Sequence, residues 1–275
     1  MTDRPASGYD LDGAGASATA AQAEYAARSE EAAKLPGARL DLAYGTHPRQ
    51  RLDVFSAGPG APVLVFFHGG YWKAGSKDSR RFPAIPWRAR GVTWVAVNYR
   101  LVPGHDLEDA VTDARNALIW LSENAARLGI DPAALHVCGN SAGGHLAAMV
   151  AARNWPGRPP IRSLCAVSAL CDLAPLLAAR TNAWLRLDPP RARALSPVHS
   201  LPPADLPVIV AVGGAETAEF RAQSSGYADL LRGQGTPVTW LEPAGQDHFR
   251  IIGGFGDPAC ELFAALARQI GPGSA

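Results

Sequence analysis

The chain has 275 residues, 47% of them hydrophobic and 19% charged, which is enough for one sizeable core. Its formal net charge of +1 leaves no broad field to attract nucleic acid or an anionic membrane surface. The four cysteines have no C-x-x-C spacing, and no apolar run approaches the roughly 20 residues that span a bilayer. We therefore expect a cytoplasmic protein with free thiols, and neither a metal site nor a membrane segment.

The first 38 residues predict an extension ahead of the domain that follows. The stretch to about Ala16 is rich in Gly, Ala, Ser and Asp, so we expect poor order there. Alanine, glutamate and arginine in residues 17–35 predict a helix, packed across a site entrance. The alternating runs LDLAY (residues 40–44) and RLDVF (residues 51–55) then predict an antiparallel strand pair at a sheet edge.

Near-continuous apolar runs follow, as expected for strands buried on both faces of a parallel sheet. They occupy residues 63–67, 92–98, 134–139, 164–170 and 208–214, and residues 237–243 add one more strand. Helical patterns lie between them at residues 106–128, 142–153, 218–233 and 258–270. This alternation predicts a doubly wound, mostly parallel α/β domain over residues 39–272. An irregular stretch at about 172–205 is too long for an ordinary loop and predicts a small cap.

The segment from Gly139 to Gly143 reads GNSAG, and it follows a predicted strand and opens a predicted helix. That context distinguishes a nucleophile elbow, G-x-S-x-G, from a chance match. Glycines are needed on both sides because side chains there would collide with the neighbouring strand and helix. Ser141 is therefore the candidate nucleophile. The alternative is a glycine-rich turn with an idle serine.

A second motif, HGGYW at residues 68–72, directly follows the strand VLVFF. In such an arrangement the backbone N–H groups of Gly70, Tyr71 and Ala142 would stabilise a developing oxyanion. His68 is interpreted as a residue that fixes the loop, not as a catalytic base. Alone, the motif is weak evidence for an oxyanion hole, but its position ahead of the nucleophile elbow strengthens that evidence.

The general base is expected after the last strand, where QDHF places His248. The acid has more than one candidate. Glu216 stands at the end of the strand VIVAVGG and is preferred over Glu219, one helical turn later. Asp172 follows the preceding strand and is a rival, whereas Asp247 adjoins the base and is poorly placed to orient it.

With HGGYW, GNSAGGH, ETAEFRAQS and QDHF in this order, the chain resembles the α/β-hydrolase superfamily from about residue 40 to 270. Within it, the chain looks most like the HGG-motif esterase and arylformamidase (kynurenine formamidase) branch. The resemblance implies the α/β-hydrolase fold, a triad of Ser141, Glu216 and His248, and an oxyanion hole. Formamidases commonly have aspartate where Glu216 stands, which leaves the acid open. Tyr71 replaces the third glycine of lipase-like esterases, which favours the formamidase side.

These observations predict a serine hydrolase that cleaves a small carboxylic ester or arylformamide through an acyl-enzyme. Tyr71, Trp72 and Trp184 would line the substrate pocket, with ordinary core packing as the alternative. Other hypotheses are a non-catalytic ligand-binding protein on this scaffold, and an acyl transferase or peptidase with the same triad. We expect a small-molecule substrate, no nucleic-acid or membrane partner, and no metal or cofactor; a homodimer stays open.

Overall fold

The computed structural model describes residues 7–11, 15–152, 157 and 159–271. Within these ranges, eight strands form one sheet in the spatial order β1-β2-β4-β3-β5-β6-β7-β8. The strands are β1 (Arg39–Ala43), β2 (Arg51–Phe55), β3 (Ala61–Phe67), β4 (Thr93–Val97), β5 (Ile130–Asn140), β6 (Ile161–Val167), β7 (Val208–Ala211) and β8 (Val238–Leu241). β2 pairs antiparallel with β1 and with β4, and the other pairs are parallel. The predicted sheet with an antiparallel N-terminal pair is confirmed.

Helices cover both faces of this sheet, which explains why its central strands are apolar throughout. They are α1 (Gly15–Ala33), α2 (Ala84–Ala89), α3 (Leu107–Glu123), α4 (Ala125–Leu128), α5 (Ala142–Ala151), α6 (Asn182–Leu185), α7 (Pro189–Ala194), α8 (Ala218–Gly233) and α9 (Glu261–Ile270). One buried cluster joins the sheet to α3, α5 and α8, and a second joins it to α1, α2 and α9. None of the described helices has the length and apolar character that crossing a membrane requires.

The helix predicted over residues 106–128 is interrupted at Asn124, which lies between α3 and α4. Asp106 and Asp109 form a capping box at the start of α3. Gly129 ends α4 in the left-handed region, with φ 68° and ψ 42°, as its role as a helix stop predicts.

Between β6 and β7 the described chain forms only short helical segments, which pack over one end of the sheet. Leu176 and Leu185 lie in the larger buried cluster. Arg191 donates to both carboxylate oxygens of Glu108, at 2.8 and 2.7 Å, and so ties this segment to α3. The limits predicted for the cap and the domain stay predictions.

The N-terminal extension differs in part from the prediction of poor order. Residues 1–6 and 12–14 lie outside the described ranges, whereas Ser7–Tyr9 forms a helical turn. Tyr9 is only 5% exposed, its ring packs edge-on against Phe220, and its hydroxyl accepts a hydrogen bond from Gln223 at 3.0 Å. Together with the Thr217 hydroxyl, which donates to the Gly8 carbonyl oxygen at 2.8 Å, Tyr9 holds the turn against α8, and the composition of the segment gives no sign of this contact.

Candidate active site

The junction of β5 and α5 carries Ser141 in a strained conformation. Its φ of 55° and ψ of −124° are rare for a residue with a side chain. A Cβ on Gly139 would lie 2.3 Å from the Gly143 carbonyl oxygen, and one on Gly143 would lie 2.0 Å from the Phe67 carbonyl oxygen. Both positions therefore require glycine. The turn leaves Ser141 at the N-terminus of α5, where the helix dipole favours negative charge.

Gly143→Ala is expected to destabilise the fold by about 3 kcal/mol or more, because backbone rather than a flexible side chain blocks the new methyl group. Gly226 in α8 provides the matched control, since a Cβ there meets nothing within 4 Å. Gly226→Ala should stabilise the protein by about 0.5–1 kcal/mol through helix propensity. Urea unfolding of both variants measures the difference, and equal free energies would contradict the steric argument.

The loop after β3 passes beside this elbow. Gly70, Tyr71 and Trp72 all have positive φ, at 120°, 49° and 54°. The N–H groups of Lys73 and Ala74 both donate to the Gly70 carbonyl oxygen at 3.0 Å, so the loop closes into a tight turn. A Cβ on Gly69 would lie 3.2 Å from the Cβ of Ser141, which measures how closely the loop approaches the serine.

His68 lies at the start of this loop and stabilises it. It is buried, stacks on Tyr99 with ring centroids 4.4 Å apart, and its Nδ1 lies 2.8 Å from the Gly69 carbonyl oxygen. Burial lowers the pKa of His68 to about 3, so the imidazole is neutral at physiological pH. A neutral ring whose Nδ1–H donates to Gly69 stabilises the loop, which is the role interpreted from the sequence.

His248 lies against Glu216, with 2.6 Å between Nδ1 and Oε2. The Glu216 side chain is fully buried, and that of His248 is 7% exposed. The second carboxylate oxygen, Oε1, accepts hydrogen bonds from the Gly213 N–H at 2.7 Å and from the Ser168 hydroxyl at 2.5 Å. Glu216 is thus fixed on both oxygens. Ser168 was not predicted from the sequence, and its only signal there is its position one residue beyond the end of β6.

The rival acids have other hydrogen-bond partners. Asp172 Oδ1 accepts from the Ala174 N–H at 2.9 Å. Asp247 Oδ1 accepts from the N–H groups of Phe249 and Arg250, at 2.9 and 2.8 Å. Both carboxylates therefore stabilise local turns, and Glu216 is the acid that the structure brings to His248.

The three aromatic residues predicted for the substrate pocket differ in their access to it. Tyr71 and Trp184 line a cavity, whereas Trp72 is fully buried and absent from its wall. The Trp72 ring packs edge-on against His145, which itself contacts the Leu195 carbonyl oxygen at 2.7 Å. Trp72 thus packs in the core, the alternative left open by the sequence, and its part in substrate binding stays a prediction.

This cavity measures about 1080 Å³ and brings the candidate residues together. Ser141 and His248 both line it, as do Gly70 and Tyr71 of the loop. Its size suits a small organic molecule. Among the described residues, no three His, Cys, Asp or Glu side chains are grouped so that they could hold a metal ion.

Comparisons with known proteins identify the family and the fold. Residues 64–251 match the family model of the alpha/beta hydrolase fold. A kynurenine formamidase from Danio rerio is 32% identical over 254 residues, covering 88% of this chain and 85% of that protein. Carboxylesterase NlhH from Mycobacterium tuberculosis is 41% identical over 107 residues, 38% of this chain and 33% of that protein. A putative thioesterase from Silicibacter sp. TM1040 superposes with a TM-score of 0.83 at 29% identity, over 94% of this chain and 96% of that one.

Proposed function

The chain belongs to the α/β hydrolase family, and on that premise we propose that it cleaves small carboxylic esters or arylformamides through an acyl-enzyme. Its similarity to enzymes named as hydrolases makes it a hydrolase. The proposed triad is Ser141, Glu216 and His248. The observation that carries the proposal is that Ser141 and His248 line one cavity while the Glu216 carboxylate lies 2.6 Å from the Nδ1 atom of His248.

In the proposed mechanism the Nδ1–H of His248 donates to Glu216, which leaves Nε2 to accept the proton of the Ser141 hydroxyl. The Ser141 Oγ attacks the carbonyl carbon, and the carbonyl oxygen becomes an oxyanion. His248 then gives the proton to the leaving alcohol or arylamine, and the acyl group stays on Ser141 as an ester. Water, deprotonated by His248, hydrolyses that ester and restores the free serine.

The proposed oxyanion hole consists of the backbone N–H groups of Gly70, Tyr71 and Ala142. Ala142 is the first residue of α5, so its N–H belongs to the positive end of that helix. The positive φ values of Gly70 and Tyr71 support the proposal, because they turn the loop amides away from a regular strand path. Each such donor contributes roughly 10²–10³ to kcat in related chemistry.

The extent of two similarities supports the proposed substrate class. The similarity to the kynurenine formamidase covers 88% of this chain, and that to the carboxylesterase covers 38%. We therefore propose arylformamides as substrates alongside small esters. Cytoplasmic location, the lack of nucleic-acid and membrane partners, and a homodimer stay predictions.

The purified protein should hydrolyse 4-nitrophenyl acetate and N-formylkynurenine, and a fluorophosphonate should label it on the peptide that contains Ser141. Rates on 4-nitrophenyl acetate, butyrate and octanoate show which acyl length the enzyme prefers. Comparison of these rates with the rate on the formamide shows whether it prefers esters or formamides. Absence of turnover on every ester and formamide, with Ser141 unlabelled, would overturn the proposal. Turnover without a phosphonyl adduct on Ser141 would reject this nucleophile.

A further inference from the structure

Arg80 is a buried cation in the wall of the cavity that Ser141 lines. The residue is 7% exposed and ends the helical turn Lys77–Arg80. Its Nη1 donates to the backbone and hydroxyl oxygens of Ser79, at 2.8 and 3.0 Å, and its Nη2 donates to Gln22 at 2.8 Å. All three acceptors are uncharged. Among the described residues, no carboxylate lies within ion-pair distance of its guanidinium.

The neighbouring cations Lys77 and Arg81, unlike Arg80, form ion pairs with carboxylates. Lys77 is 1% exposed, and its Nζ lies 2.7 Å from Asp41 and 2.9 Å from Asp53. Arg81 Nε lies 2.6 Å from the other oxygen of Asp53. A buried charge without a counterion is costly, which explains why these two are paired. Burial lowers the pKa of Arg80 to about 10, which still leaves the guanidinium charged at neutral pH.

The cavity wall carries more positively than negatively charged side chains. Its described residues include three cations, Lys73, Arg80 and Arg180, and one carboxylate, Asp10. Asp10 lies 3.1 Å from Arg180. Lys73 and Arg180 are exposed, so water screens their charges, whereas Arg80 is buried. A ligand anion would therefore gain most from Arg80, where solvent competes least.

Two of the five guanidinium hydrogens of Arg80 are left after its three hydrogen bonds. One is on Nε, which is enclosed and has no acceptor among the described residues. The other is on Nη2. The Nε donor is enclosed, so the Nη2 hydrogen is the one left for an anionic group that enters from the cavity, and the two would form a charge-assisted hydrogen bond.

We propose that Arg80 binds a carboxylate carried by the substrate, so that the enzyme prefers anionic esters or arylformamides to their neutral counterparts. This inference rests on the proposed hydrolase function of the same cavity. The carboxylate can belong to the acyl group or to the leaving group. Arg80 is then a specificity residue that acts on substrate binding and not on the bond-breaking step.

Two pairs of substrates distinguish a carboxylate on the acyl group from one on the leaving group. Phenyl hexanoate and phenyl hemiadipate differ by a carboxylate on the acyl group, and formanilide and 3-formamidobenzoate differ by one on the leaving group. The readout is the ratio of kcat/KM for the anionic over the neutral member. We expect Arg80→Gln to lower this ratio by about 10- to 100-fold in at least one pair, mainly through KM. Neutral substrates should change by less than about threefold.

Arg49→Gln is the matched control. The charges of Arg49 and Arg80 both act on His68, but Arg49 does not line the cavity. Its substitution should leave the ratio unchanged within about threefold, even if the overall rate falls. Arg80→Lys should retain part of the preference, and thermal unfolding of each variant checks that the fold is intact.

An unchanged ratio in Arg80→Gln would overturn the inference, as would a wild-type enzyme that prefers the neutral member of both pairs. If Arg80→Gln does not fold, the wild-type ratio in 50 mM against 500 mM salt and the Arg80→Lys ratio decide instead. Failure of the proposed function looks different: no member of either pair is then hydrolysed. Hydrolysis of neutral substrates without a charge preference rejects only the role of Arg80.

Discussion

Ser141→Ala should lower kcat by about 10⁶ on esters and formamides, if the triad behaves as in the subtilisin series. The reason is that the side chain supplies the only atom that bonds to the substrate in the proposed mechanism. The oxyanion hole and the cavity remain, so a residual rate above that in water is expected. Ala fits the position sterically, because the change only removes an oxygen. Stopped-flow or long-time turnover with 4-nitrophenyl acetate measures the loss.

Ser79 provides the comparison, since it also lines the cavity and carries a hydroxyl. Its hydroxyl accepts a hydrogen bond from Arg80 at 3.0 Å, and it lies in the helical turn Lys77–Arg80. Fluorophosphonate labelling should persist in Ser79→Ala and disappear in Ser141→Ala. A Ser141→Ala enzyme that keeps more than a tenth of the wild-type rate would place the nucleophile elsewhere.

The elbow and the loop after β3 could be predicted because their requirements are local. A strained serine between a strand and a helix needs glycine on both sides, and the Cβ distances at Gly139 and Gly143 show the same steric limit in three dimensions. The buried strands were predictable for a similar reason, since a strand covered on both faces must be apolar along its length.

The features that the sequence did not reveal depend on contacts between distant parts of the chain. Ser168 reaches Glu216 across 48 positions, and Arg80 reaches Gln22 across 58. The choice between pocket and core could not be made for Trp72 from the sequence, because a motif gives the order of residues but not the side of the loop on which an indole packs. Tyr9 was missed because one anchor in a glycine-rich stretch does not alter its composition.

Glu216→Gln should lower kcat by about 10⁴, the loss seen when the triad aspartate of a serine protease becomes an amide. The amide keeps the shape of the carboxylate but can present a donor to His248 Nδ1, which favours the wrong imidazole tautomer. It also removes the negative charge that stabilises the imidazolium. The Ser168 hydroxyl and the Gly213 N–H now both donate to Oε1, so they would hold an amide oxygen there and turn its NH₂ group towards the histidine.

Asp172→Asn and Glu219→Gln are the matched controls, since each makes the same chemical change at a rejected candidate. Asp172 holds the Ala174 N–H, and Glu219 lies against Gly8, where an added Cβ would be 1.8 Å from its Oε2. Neither change alters the contact with His248, so each should cost less than about tenfold in kcat.

Because the carboxylate of Glu216 is bonded on both oxygens, Glu216→Asp should also lose much of the rate: its shorter side chain cannot span Ser168, Gly213 and His248 together. A larger loss at Asp172 than at Glu216 would reassign the acid and break the link between the 2.6 Å contact and catalysis.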